Sequence, residues 1–181
     1  MPNQKVSTIS QKTILQQIAN LIDRLNVIIG RTIAWLTIMM VLVTCIIVLA
    51  RYFFNSGSIA LQESVMYMHG TVFMLGIAFT LKEQEHVRVD VLHERLGLRA
   101  RAVIEMTGSV LFLIPVSVVI LLSSLEYVAF SWSLKESSAQ PSGLPGVYLL
   151  KTLITAMAGL LLLQGISEFI KAFNTLKKQA K

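Results

Sequence analysis

The stretch TIAWLTIMMVLVTCIIVLA, residues 32–50, contains no charged side chain. As a helix it would rise about 28 Å, close to the roughly 30 Å hydrocarbon core of a bilayer, so it reads as a membrane span. Three more stretches follow the same pattern, at 65–81, 106–125 and 144–167, the last with Lys151 as its only charge. The chain of 181 residues is 54% hydrophobic and 14% charged, with mean hydropathy +0.67; an ordinary soluble domain carries about a quarter charged residues. Outside the spans about 100 residues remain, divided among two tails and three short loops, too dispersed for a second folded core. We therefore expect one membrane domain over 1–181, an all-α membrane protein with four transmembrane helices, and no fused enzyme or ATPase unit.

Upstream of the first span, Ile14, Leu15, Ile18, Leu21, Ile22, Leu25, Ile28 and Ile29 recur at three- and four-residue spacing, with Gln16, Gln17, Asn20, Asp23, Arg24 and Arg31 on the other side. This is the pattern of an amphipathic helix preceding span one. Its apolar face could lie in the headgroup layer, pack on a partner's helix, or belong to one longer helix continuous with the span. The first 30 residues show no short apolar core followed by a small-residue cleavage site, so span one is expected to act as its own insertion signal.

The net charge of +6 is read by sidedness. Lys5, Lys12, Arg24 and Arg31 precede span one; Lys82, Arg88, Arg95, Arg99 and Arg101 lie between spans two and three; Lys171, Lys177, Lys178 and Lys181 follow span four. The loops of opposite sidedness hold only Arg51 and Lys135, and Lys151 in the first turns of span four can snorkel outward. This bias puts both termini in the cytoplasm. The aromatics agree: Tyr52, Phe53, Phe54, Tyr127, Phe130, Trp132 and Tyr148 gather at the outer ends and Trp35 near the inner end of span one, where rings meet headgroups. The basic surplus is thus a topology signal, and no nucleic-acid partner is expected.

The inner loop, 82–101, has five basic and four acidic residues, a period-two run from His86 to Val91, and a helix-like stretch with Leu92 and Leu96 that Gly97 would terminate. The outer loop, 126–146, is rich in Ser, Gly and Pro, and Pro145 suits the first turn of span four. Pro115, inside span three, should kink that helix and free a carbonyl that Ser117 or a neighbour can satisfy. Gly70, Gly76, Gly108, Gly159 and Gly165 offer close-approach points between helices.

Ionisable groups in hydrocarbon are costly and mark function, and here they sit near span ends: His69 in the outer half of span two, Glu105 before span three, Lys151 and Glu168 at the two ends of span four. None is an acid at mid-membrane depth. His69 reads as a packing histidine, with a proton relay as its functional alternative. A bis-histidine haem needs a second histidine at similar depth, yet His86 and His93 belong to the inner loop, where their spacing with Glu85, Asp90 and Glu94 fits no standard zinc pattern. No cofactor or metal is expected. Cys45 reads as a small buried hydrophobe. Arg51 and Glu63 bracket the tight outer connection between spans one and two and would form an interfacial ion pair.

Arg51-Tyr52-Phe53-Phe54 closing span one, Glu63 opening span two, Leu75-Gly76-Ile77-Ala78 within it and His86-Val87-Arg88-Val89-Asp90 after it resemble the small membrane (Q-type) subunit of the tripartite ATP-independent periplasmic (TRAP) transporters. The family often has a tryptophan just before the span-two acid, where this chain has Ala60-Leu61-Gln62. The resemblance implies a non-catalytic, accessory role in sodium-driven uptake of organic acids across the bacterial inner membrane. Its implied partners are a large membrane subunit and a periplasmic substrate-binding protein, with membrane lipid around them. Arg51, Glu63, Gly76, His86, Arg88 and Asp90 carry over as structural or partner-interface positions. Two other classes remain open on the residues alone: a small homo-oligomeric carrier or channel using His69, Glu63 and Lys151, and a haem- or quinone-anchoring subunit of a redox complex.

Overall fold

The computed structural model describes residues 3–83 and 97–179, and all the regular structure among them is helical. Helix α1 spans Asn3–Phe54 and α2 Ile59–Lys82; α3, Leu98–Gly108, leads through a π-helical turn, Ser109–Leu113, into α4, Ile114–Leu134; α5 spans Val147–Gln179. Four helical units, Ile14–Phe54, Ile59–Lys82, Leu98–Leu134 and Val147–Lys177, are long and apolar enough to cross a membrane. The end where α1 and α4 finish and α2 and α5 begin, assigned to the outside by the charge pattern, is called the outer end below.

Helix α1 settles one of the open alternatives, because the amphipathic segment runs without a break into span one. Its 41-residue apolar part is about 60 Å long, roughly twice the hydrocarbon thickness, so much of it extends beyond a simple crossing. The residues it buries are Ala19, Ile22, Asn26, Gly30 and Ile33, while Ile14, Ile18, Leu21, Leu25 and Ile28 stay exposed. Most of the apolar ladder faces away from the chain's own helices; Ile22 and Ile33 turn inward together with the small and polar Ala19, Asn26 and Gly30. The same inversion holds throughout, since the largest fully buried side chains are Gln164, Asn26, Ser117, Ser131 and Ser167. Lipid is as apolar as leucine, so exposing leucine costs nothing there, and helices associate through close contact and hydrogen bonds.

Helix α5 packs against α1, α2, α3 and α4, and α1 also pairs with α2. The seam from α3 and α4 to α5 is a stripe of small residues: Ala102, Ser109, Ser117, Ser124 and Ser131, each under 9% exposed. Their spacing is seven residues except for eight between Ser109 and Ser117, the interval containing the π turn. One inserted residue is what a π turn adds, so it keeps Ser109 in line with a heptad stripe that would otherwise slip. The turn also widens the helix just ahead of Pro115, which has no N–H to donate. Ser117 Oγ donates to the Leu113 carbonyl at 2.7 Å; this is the serine's own i−4 carbonyl, not the carbonyl one turn before Pro115 that the sequence reading expected it to satisfy. Higher on the seam, Ser124 and Thr155 share a hydrogen bond of 2.9 Å and Trp132 Nε1 donates to Thr152 Oγ1 at 2.9 Å.

Several expectations need correction. Pro145 lies ahead of α5 instead of in its first turn; the Gly146 carbonyl accepts from Leu149 N and Leu150 N and so opens the helix. Gly97 stands directly before α3 as its N-cap, in extended conformation; the segment it was expected to terminate lies outside the described residues. Cys45 is exposed on α1, not buried. Of the five glycines expected at helix contacts, Gly70 meets Leu150, Gly76 meets Ile33 and Gly165 meets Leu113 and Ile114, whereas Gly108 and Gly159 face open space. The tightest approach is at Gly30, where an added Cβ would overlap the Phe79 side chain, 2.7 Å from its Cβ.

Candidate functional site

The polar groups collect at the two ends of the bundle. At the inner end, Gln164 on α5 is completely buried. Its Oε1 accepts from Asn26 Nδ2 at 2.7 Å, and its Nε2 donates to Glu168 Oε1 at 2.8 Å and to Asp23 Oδ1 at 3.2 Å. Ser167 Oγ donates to Asp23 Oδ1 at 2.7 Å. Lys171 Nζ bridges Asp23 Oδ2 at 2.6 Å and Glu168 Oε1 at 2.9 Å. One turn further on, Asn174 Nδ2 donates to Gln16 Oε1 at 3.2 Å. This knot ties the N-terminal half of α1 antiparallel to the last turns of α5, with two carboxylates sharing one ammonium and two further donors. Asn26 and Gln164 did not stand out in the sequence reading, although a lone amide among isoleucines and leucines is a signal: in hydrocarbon it must find a partner.

At the outer end the loop 135–146 is fastened at two points. Glu63, at the start of α2, accepts from Ser138 Oγ through one carboxylate oxygen and from Leu144 N at 2.6 Å through the other. Gly143 closes the same turn, where a Cβ would strike the Ser138 side chain and lie 2.8 Å from Glu63 Oε1. Glu136 accepts from Ser131 Oγ at 2.6 Å and pairs with Lys151 Nζ at 2.5 Å. Around this pair Lys135 Nζ lies 4.6 Å from the Trp132 ring centre and 5.2 Å from that of Tyr148, and Lys151 Nζ lies 4.2 Å from that of Tyr127. The aromatic girdle thus also holds the cations that pin the loop.

The expected ion pair between Arg51 and Glu63 is not formed. Glu63 turns toward the loop, where a backbone N–H and a hydroxyl satisfy it, and Arg51 at the end of α1 is exposed, with no carboxylate in salt-bridge range among the described residues. Gly76 lies in a groove of about 610 Å³ between α1 and α2, with Ile33 Cδ1 3.7 Å from where its Cβ would be. His86, Arg88 and Asp90 lie outside the described residues. His69 is exposed on α2 and stacks on Phe73, ring centres 6.3 Å apart. Among the described residues no three His, Cys, Asp or Glu side chains group as metal ligands would.

The hydrogen bond from Lys151 and that from Ser131 hold the Glu136 carboxyl below its ordinary value of 4.5, against a weaker opposing effect of burial. A carboxyl depressed on folding contributes stability above its unfolded value and loses it as pH falls through the folded one. Amide exchange in loop 135–146, corrected for intrinsic rates, should therefore be flat from neutral pH to about 5 and accelerate below about 4.5, with the step reduced in Glu136→Gln and absent only when Glu63, the loop's other carboxylate fastening, is also replaced by Gln. A loosening already complete between pH 7 and 6 would exclude Glu136 as the fastening.

Chemically this arrangement holds helices and one loop in place: Asp23, Glu168 and Lys171 at one end, and Glu63, Glu136 and Lys151 at the other, are engaged in internal ties. No curated protein and no solved structure matches the chain. The family model for the tripartite ATP-independent periplasmic transporters, DctQ component, matches residues 40–175, from the middle of α1 nearly to the end of α5. The chain therefore belongs to the DctQ component family and is a small membrane component of a TRAP transporter.

Proposed function

We propose that this subunit is the non-catalytic brace of a sodium-coupled importer of organic acids, packed on a large membrane subunit that a periplasmic binding protein supplies with substrate. The observation that carries the reading is the contrast on α1. Asp23 and Asn26 are spent on α5, while Leu21, 69% exposed, and Ile28, 56% exposed, present an apolar ladder outward that continues through Trp35, Ile38 and Leu42. A face that leaves the chain's own core uncovered, on a helix about twice as long as a crossing requires, suits attachment to another membrane protein. Both termini are assigned to the cytoplasm and the chain to the bacterial inner membrane. The pinned loop 135–146 and the exposed Arg51 are assigned to the periplasmic side, where the binding protein docks. Glu63 and Gly76 act as structural positions, and His86, Arg88 and Asp90 as interface positions.

Affinity purification of the full chain in mild detergent should retrieve a much larger, many-span membrane protein in stoichiometric amount. Leu21→Asn with Ile28→Asn should leave the isolated chain folded yet lower that retrieval about tenfold or more, the ratio that 1.4 kcal/mol commands. Undiminished retrieval would remove this face from the contact. Vesicles containing only this chain that accumulate an organic acid along a sodium gradient would overturn the brace reading.

A further inference from the structure

On the inner half of the molecule, between α3 and α5, an apolar cavity of about 670 Å³ is walled by Val103, Met106, Phe169, Phe173 and Leu176. A second cavity of about 260 Å³, reaching Thr107, Val110 and Leu111, shares Met106 and Phe169 with it, so the two form one groove running from the inner end toward the bilayer centre. Two cations stand at the mouth: Arg99, in the first turn of α3, and Lys177, near the end of α5. Both are exposed and neither is paired with a carboxylate among the described residues; Lys177 Nζ lies 5.9 Å from the Phe173 ring centre. The N-cap of α3 is Gly97, which supplies no side-chain acceptor to the first N–H groups of the helix, and the positive end of the helix dipole therefore points at the same mouth.

We propose that this groove is a binding site for an anionic glycerophospholipid, with its phosphate between Arg99 and Lys177 and an acyl chain along Val103, Met106 and Phe169. The charge pattern selects the occupant. A zwitterionic lipid would bring its own cation to a mouth that already has two, and a free phosphate would leave the apolar walls unused. Basic pockets at the membrane surface between helices are suited to such headgroups, with each nearby Lys or Arg worth about 1 kcal/mol. Burial of the chain in the groove adds shape fit, and a bound lipid joining α3 to α5 would fasten an inner edge that the Asp23 knot does not reach.

The test uses the full chain in mild detergent and native mass spectrometry with phosphatidylglycerol or phosphatidylcholine of identical acyl chains. The wild type should retain the anionic lipid in preference. The preference should fall roughly fivefold for each basic residue removed in Arg99→Gln and Lys177→Gln, and persist in Arg99→Lys with Lys177→Arg. Val103→Trp, which fills the groove and keeps both charges, should lose the bound lipid while its circular dichroism stays helical. Equal retention of the two headgroups, or wild-type preference in the double glutamine variant, overturns the proposal. Displacement of the lipid by excess inorganic phosphate would show a free-anion site instead and overturns it as well.

Discussion

Gln164→Leu is expected to destabilise the subunit more than any other conservative change in the described helices. The leucine fills the same space but leaves Asn26 with both ends of its amide unpaired, because Asn26 Oδ1 already lacks a partner among the described residues and Nδ2 has only Gln164. It also removes one donor each from Asp23 and Glu168. An orphaned buried polar group costs about 1–3 kcal/mol, so the thermal midpoint in detergent should drop by roughly 3–10 °C for a chain of this size. Replacing both partners with apolar residues can be nearly neutral, and Asn26→Leu with Gln164→Leu should therefore recover part of the loss. A double variant no more stable than Gln164→Leu alone would show that the amide pair is not what the single change breaks.

Gly30→Ala, the second large effect, sets helix propensity against space. Alanine favours the helix by about 1 kcal/mol over glycine. The added methyl, however, overlaps the Phe79 side chain close to its own backbone, 2.7 Å from its Cβ, so no rotamer change relieves the clash and α1 must move off α2. Overpacking of this kind costs about 1–3 kcal/mol, leaving a net loss of up to roughly 2 kcal/mol. The penalty should shrink in a Phe79→Ala background, and a double-mutant cycle on the thermal midpoint measures the difference. An equal penalty in both backgrounds would mean that Phe79 is not the obstacle. The same change on an open glycine such as Gly159 should be neutral or stabilising, which separates contact from propensity.

Both variants probe residues that hydropathy alone passes over. The spans were legible because a bilayer imposes a length and a polarity that apolar runs such as 32–50 report directly. Family membership was legible in an ordered set of short segments from Arg51 to Asp90. The heptad of Ser117, Ser124 and Ser131 was open to reading too, but Ser109 joins it only through a π turn that periodicity cannot foresee. The proposed pairing of Arg51 with Glu63 failed for a related reason. Proximity along the chain suggested a partner, yet a carboxylate at the head of α2 is better satisfied by the folded loop, where Leu144 N and Ser138 Oγ need an acceptor.

Residue order thus established four helices long and apolar enough to cross a membrane, with few charges within their apolar stretches, since insertion depends on local composition summed over each segment. Which face of α1 turns inward, and where Asn26, Asp23 and Glu63 find partners, depended on packing. In a solvent as apolar as the side chains themselves, burying leucine gains nothing, and only three-dimensional fit and hydrogen-bond geometry distinguish one face of a helix from another.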